Sequence, residues 1–367
     1  HLRFDPRNPD WDNRDRFILS AGHGSMLLYS ILYLLNYPNI ALADIKNFRK
    51  LGAPTAGHPE YGEIPGIETT TGPLGQGLAN GLGIAISEKL MRERLGEQVI
   101  NHYTYIVAGD GCIMEGISHE FASLAGHLAL SNLIVLYDDN KISIDGPTSL
   151  TMSDNTLERF ASMGWHTLNV NGYNLNDINS AISEAKLDKR PSIISFETAI
   201  GYGSPSKEGS ASSHGAPLGE DEILRAKNKL NWNYEPFEIP RSIRNNWMEI
   251  SKKHFESFDD WNTNFGKKIR KLKSNILNKD VLHKSREKLI TSFIKENKAI
   301  ATRKSSELVI TEFISQKFSL VGGSADLTGS NNTIVDMMKK IEPNDFNGNY
   351  IHWGVREHCM AGAMNGI

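Results

Sequence analysis

At 367 residues the chain is too long for one ordinary hydrophobic core, so two domains are expected. Its 40 Lys and Arg against 43 Asp and Glu leave a formal net charge of −3, which gives no electrostatic pull toward nucleic acid, and no apolar run reaches the roughly 18 residues of a membrane span. Only two cysteines occur, Cys112 and Cys359; they are far apart, which excludes a disulfide scaffold and a thiolate metal site and suits a reducing, cytoplasmic compartment.

The N-terminal stretch HLRFDPRNPDWDNRDRF has no signal-peptide layout. Residues 17–35 then read as a loop followed by a helix, with Ser20 and Gly22 ahead of an apolar face of Met26, Leu27, Ile31 and Leu34. Residues 72–91 read as a glycine-rich turn running into a helix, with Gly77, Gly81 and Ala85 on one face where another backbone can approach. A strand at 103–108, a helix at 117–128, a strand at 133–137, a helix at 177–187 and a strand at Ser192–Glu197 follow. Strands alternating with helices predict an α/β fold, a parallel sheet with helices on both faces.

Apolar periodicity weakens over 259–289 and lysines gather there (GKKIRKLKSN). With few aromatic residues interleaved, the run reads as a solvated linker helix rather than a nucleic-acid patch. The expected division is a first domain at 1–265, a linker at 266–295 and the beginning of a second, similar α/β domain at 296–367. The chain starts at His1 and ends at Ile367 inside GVREHCMAGAMNGI, which reads as an unfinished helix, so a fragment is expected.

Two predicted strands end in polar signatures, AGDG at 108–111 and YDDN at 137–140. A carboxylate at the end of a buried strand costs roughly several kcal/mol unless something compensates it, so Asp110 needs a partner. In a parallel sheet, ligands bind beyond the carboxyl ends of the strands, and neighbouring strands would bring Asp110 and Asn140 to one edge. A carboxylate, an amide oxygen and nearby carbonyls suit Mg²⁺ or Ca²⁺ and not zinc. One carboxylate leaves a divalent ion under-neutralised, which asks for an anionic ligand such as a diphosphate. Gly109 and Gly111 allow close backbone approach, and the following helix would offer N-terminal amides. Either motif by itself is commonly a turn or a cap; the pair, each after a predicted strand, points to a metal-bridged diphosphate.

GDG followed some thirty residues later by an Asn-containing turn resembles the signature of thiamine-diphosphate enzymes. Seven segments, SAGHGSMLLYS (20–30), ETTTGPLGQG (68–77), GDGCIMEGISHE (109–120), DDNKISIDG (138–146), SHGAPLG (213–219), GGSADLTGSN (322–331) and GNYIHWGVREH (348–358), resemble transketolase motifs in that family's order. The resemblance covers roughly the first half of a transketolase, without the family's extreme N-terminal segment. It implies the thiamine-diphosphate-binding fold, with a diphosphate- and metal-binding domain ahead of a pyrimidine-binding one. The implied reaction transfers a two-carbon ketol unit from a ketose phosphate to an aldose phosphate through a thiamine-diphosphate enamine. Xylulose 5-phosphate, ribose 5-phosphate and erythrose 4-phosphate typify the substrates, and the pathway is the pentose phosphate pathway.

The same resemblance implies residue roles. Asp110, the Asn140 side chain and the Ile142 carbonyl would hold Mg²⁺, with Ca²⁺ or Mn²⁺ as substitutes, and Gly111 would contact the diphosphate. Gly72, Pro73 and Leu74 would line the cofactor. His23 and His214 would lie over the diphosphate and thiazolium, His214 also serving catalysis, and His58 would face the sugar hydroxyls. Arg303 and Ser330 would grip the substrate phosphate; a guanidinium fork matches phosphate oxygens as an ammonium does not. Imidazoles can exchange protons with hydroxyls near neutral pH, although a histidine beside a glycine is commonly just a loop residue. Glu357 would hydrogen-bond the aminopyrimidine of the partner subunit's cofactor in a homodimer; the other reading is a surface glutamate paired with Arg356. Gly329, where many relatives carry proline, loosens the loop before Ser330.

Three other readings remain open. One is a noncatalytic half-chain that dimerises or pairs with a separate complementary chain. Another is a related enzyme such as dihydroxyacetone synthase or deoxyxylulose-phosphate synthase, against which SHGAPLG, VREH and Arg303 weigh. The last is a dinucleotide-binding oxidoreductase, whose glycine fingerprint is broken at Asn80 and has no clear strand before it.

Overall fold

The computed structural model describes residues 1–276, 279–316 and 319–367, so two positions of the expected linker, 277 and 278, lie outside the described residues. The main sheet is built from β1 (Arg16–Leu19), β2 (Thr104–Gly109), β3 (Leu133–Asp139), β6 (His166–Asn171) and β7 (Ser192–Glu197). Between β3 and β6 lies a short antiparallel pair, β4 (Ile142–Ser143) and β5 (Gly146–Pro147). The sheet order is β1-β2-β3-β7-β6 and every pairing in it is parallel. Strands β2, β3 and β7 are covered on both faces, and their runs TYIVAG, LIVLYDD and SIISFE are correspondingly almost continuously apolar.

The two edge strands carry weaker signals and were not expected. β1 is four residues long and starts on an arginine, taking the first part of what reads as a loop before the helix. β6 reads HTLNVN, with exposed asparagines at 169 and 171, as an edge strand with one wet face does.

Helices α1 (Ser25–Leu34), α2 (Leu42–Lys46), α3 (Gln76–Leu95), α4 (Asp110–Met114), α5 (Gly116–His127), α6 (Thr156–Ser162) and α7 (Leu175–Ala185) complete this layer. α3 runs four residues past its expected end. α7 starts two residues earlier than expected because Asn174 caps it, accepting from the backbone N–H groups of Asn176 and Asp177. The expected linker is helical on both sides of its undescribed positions, over Lys267–Ile276 and Lys279–Glu296. It is only partly solvated: Ile269 is buried with Trp11 and Trp261, and Lys273 pairs with Asp12 at 2.6 Å.

Beyond it, β8 (Gly322–Ser324) and β9 (Tyr350–His352) form a second parallel pair, and the helix Glu357–Met364 docks back on α3 and α5. The small residues of α3 make that docking possible. A Cβ on Gly83 would stand 1.9 Å from the carbonyl oxygen of Ala363, so only glycine lets the two backbones meet. The Cys359 N–H donates to Glu120 Oε2 at 2.7 Å, and Arg356 donates to Ser123 Oγ at 2.9 Å. Trp353, Cys359 and Ala363 thereby join the same buried cluster as Ile106, Ile117 and Phe121.

One acid inside this core carries a measurable cost. Glu88 of α3 is buried, accepts from Asn132 Nδ2 at 2.9 Å, and has its pKa pushed up to about 7 by burial. The native state therefore binds a proton that the unfolded chain has already released, so the cost is present above pH 7 and vanishes below the ordinary glutamate range. Glu88→Gln is expected to stabilise the chain at pH 8 by on the order of 3 kcal/mol and to give no gain near pH 4. Urea unfolding at the two pH values checks this; equal gains at both would contradict it.

Candidate cofactor site

The site is assembled at the carboxyl edge of the sheet. The β2–β3 register pairs Gly109 with Asp138, so Asp110 and Asn140 each follow directly on adjacent parallel strands. Asp110 is buried, yet its direct partner is not Asn140. Its Oδ1 accepts from the Tyr137 hydroxyl at 2.6 Å, while its Oδ2, equally shut off from solvent, has no hydrogen-bond partner. Burial raises the Asp110 pKa, the Tyr137 bond opposes that, and Asp139 adds to it. Burial and Asp110 push the Tyr137 phenol far up, so the hydroxyl stays protonated and donates.

Asn140 is oriented from both ends of its amide. Its Nδ2 donates to Asp138 Oδ2 at 2.9 Å, and its Oδ1 accepts from the Ile142 N–H at 3.0 Å, within a turn that Lys141 closes at φ +61°. Asp138 is itself held by the Thr198 hydroxyl. Asn140 Oδ1 keeps a second lone pair, and the chain here folds back as β4 and β5, so the Ile142 carbonyl follows close behind.

Further loops close on this edge. Thr71 Oγ1 donates to the Leu19 carbonyl at 2.8 Å, tying the turn at Gly72–Leu74 to the end of β1. Gly72, at φ +148°, faces His58: a Cβ there would lie 3.2 Å from His58 Cγ. On Gly111 a Cβ would meet Leu74 Cδ1 at 2.9 Å, so Gly111 and the Gly72–Leu74 turn adjoin. The rings of His23 and His214 stack with centroids 5.1 Å apart and planes 22° from parallel. Enclosure by the surrounding loops lowers the His23 pKa, and His214 and His58 lower it further, although the ring keeps an exposed edge. His214 Nδ1 is buried with no partner.

The helix after Gly109 starts at Asp110 and is short: α4 is five residues, Glu115 is extended, and α5 starts afresh at Gly116. A diphosphate here would meet the N-terminal backbone of α4 and the adjoining loops. Glu357 is exposed at the first position of its helix, with no apolar pocket supplied by its own chain. Nor does Arg356 hold it, since that guanidinium donates to the Trp353 carbonyl and Ser123.

Arg303 and Ser330 are exposed. They lie on neighbouring segments, because Asn332 Nδ2 donates to Glu307 Oε2 at 2.7 Å, one turn on from Arg303. Among the described residues, no three His, Cys, Asp or Glu side chains converge as a metal-binding group, so any metal here must use amide and carbonyl oxygens. A cavity of about 700 Å³ lined by Arg16, Glu68, Asn80, Glu88 and His102 shares none of the site residues.

Sequence reasoning passed over Tyr137 and Asp139. The available signal was period: in β3, residues 137 and 139 face the same side, and a hydroxyl inside an otherwise apolar run needs a partner there.

Residues 1–287 match the family described as "Transketolase, thiamine diphosphate binding domain", and residues 298–367 match "Transketolase, pyrimidine binding domain". The chain belongs to the transketolase family. It is 46% identical over 371 residues to a transketolase of Cereibacter sphaeroides and 48% identical over 382 residues to one of Buchnera aphidicola. Both alignments cover 100% of this chain, and 56% and 57% of the respective relatives. A Pichia stipitis transketolase crystallised with sedoheptulose-7-phosphate superposes with a TM-score of 0.88 at 39% identity, covering 100% of this chain and 56% of that one. The chain thus spans a little over half the length of the relatives it matches.

Against this family the residues at the sheet edge fit a bound metal diphosphate. An orphaned carboxylate oxygen, an amide oxygen with a spare lone pair, a buried unpaired imidazole nitrogen and two glycines that side chains would fill are what such a group requires. Without it, the buried Asp110 charge is a liability. Asp110→Asn is expected to raise the melting temperature of the cofactor-free chain at pH 8. Because the native carboxyl pKa is raised, the gain should shrink as pH falls through the carboxylate range. An unchanged or lower melting temperature at pH 8 would show that the charge is compensated.

Proposed function

We propose that this chain forms the cofactor-binding part of a transketolase that moves a two-carbon ketol unit from a ketose phosphate to an aldose phosphate, in pentose phosphate metabolism. The observation that carries the reading is the unpaired Asp110 Oδ2 at the sheet edge, beside the Asn140–Ile142 turn and the His23–His214 stack. Asp110, the Asn140 amide oxygen and the Ile142 carbonyl hold Mg²⁺, with Ca²⁺ or Mn²⁺ able to replace it. Gly111 lies against the diphosphate, and Gly72, Pro73 and Leu74 line the cofactor. Thiamine diphosphate, when bound, supplies the carbon that accepts and releases the ketol unit.

The protein's part is placement and proton control. The His23 and His214 rings can accept or donate at sugar hydroxyls, and His58 borders the same loops. Arg303 and Ser330 bind substrate phosphate, and the sugar phosphate named with the Pichia stipitis structure supports that substrate class. Glu357, exposed on its own chain, serves the partner subunit's cofactor in a homodimer, where its carboxyl would meet the aminopyrimidine. The domain division follows as a diphosphate- and metal-binding unit at 1–265, a linker at 266–295 and a pyrimidine-binding unit from 296. Two free, buried cysteines support a cytoplasmic setting, and among the described residues no helix is long and apolar enough to cross a membrane.

Thermal melting tests the reading. Thiamine diphosphate with Mg²⁺ at about 100 times the dissociation constant should stabilise the chain by about 2.7 kcal/mol, with the effect requiring both components. No shift, or the same shift in EDTA, would contradict it.

A further inference from the structure

The arrangement behind Asp110 assigns a role to a residue that neither the motifs nor the family description single out. We propose that Tyr137 is the positioning residue of the metal site: it clamps Asp110 by one carboxylate oxygen so that the other, Oδ2, is presented to a divalent cation. The proposal rests on the metal reading above.

The geometry supports a clamp rather than a chance contact. Tyr137 is buried, and its hydroxyl lies 2.6 Å from Asp110 Oδ1 and 3.1 Å from Asp139 Oδ1. A phenol has one proton, so it cannot donate to both carboxylates. The shorter contact marks Asp110 as the acceptor. Asp139 has other donors: Lys141 Nζ at 2.7 Å from Oδ1 and 2.8 Å from Oδ2, and Ser195 Oγ at 2.9 Å from Oδ2. Those three bonds fix Asp139 as a wall behind the phenol, and the hydroxyl is directed toward Asp110.

The consequence is a division of labour along β3. Tyr137 orients the carboxylate ligand from behind, and Asp138 orients the amide ligand by accepting from Asn140 Nδ2. With Oδ1 occupied, Asp110 binds a cation through one oxygen, which suits the near-octahedral demand of Mg²⁺ better than a bidentate carboxylate would. Partners of this kind typically change metal affinity 10–100-fold when removed.

Mn²⁺ binding to the 367-residue chain with thiamine diphosphate present, read by electron paramagnetic resonance of free and bound ion, tests this independently of turnover. Tyr137→Phe, which keeps the ring and removes only the hydroxyl, is expected to weaken Mn²⁺ binding about 10–100-fold and to broaden the bound-ion spectrum, with circular dichroism unchanged. Should that variant not fold, Asp139→Asn is expected to weaken binding several-fold by loosening the wall behind the phenol. Wild-type affinity and line shape in a folded variant of either kind would overturn the proposal, provided Asp110→Ala abolishes binding. If Asp110→Ala binds like the wild type, or the wild type binds no Mn²⁺, the metal reading itself falls, and the clamp falls with it.

Discussion

A half-satisfied carboxylate organises this molecule. Asp110 is buried at the end of β2 with one oxygen held by Tyr137 and the other facing no donor. A desolvated charge left in that state costs roughly 1–3 kcal/mol or more, a sum that a domain of ordinary marginal stability would shed unless something recovers it. In the site proposed here, a divalent cation would recover it. Parallel pairing of β2 with β3 is what makes this possible, since only parallel neighbours deliver two carboxyl-end loops to one edge. The remaining members, the Gly72–Leu74 turn and the His23–His214 stack, arrive there because Thr71 ties one loop to β1 and because glycine at 72 and 111 leaves room.

The C-terminal segment follows a different constraint, close backbone approach. The small residues of α3 let the Glu357–Met364 helix sit directly on it, and Glu120 of α5 accepts from the first turn of that helix at the Cys359 N–H. This docking fixes the helix while leaving Glu357 exposed. An exposed acid on a docked helix is suited to meeting a second copy, which is the arrangement proposed here.

How much of this the sequence reveals depends on which interactions are local. Strands β2, β3 and β7 are legible because burial on both faces makes them continuous apolar runs, whereas β1 and β6 are short or half-polar edges that look like loops. The placement of Asp110 and Asn140 at one edge could be reasoned from strand ends and parallel topology alone. Tyr137 could not be picked out so easily, because a tyrosine in LIVLYDD reads as core until its neighbour across the sheet is known. The length of α4 was equally hidden: Glu115 breaks the helix with an extended conformation that no proline or glycine at that position announces. Arg303, Ser330 and Glu357 have no signature in their own surroundings; family resemblance alone singles them out, since their partners would be a substrate and a second chain.

The most direct measurement is anomalous diffraction from crystals of the chain grown with Mn²⁺ and thiamine diphosphate. The account predicts a single strong manganese peak at coordination distance from Asp110 Oδ2, Asn140 Oδ1 and the Ile142 carbonyl oxygen, with diphosphate density beside Gly111. A peak bound elsewhere, or diphosphate density at the edge with no metal between it and Asp110, would contradict it.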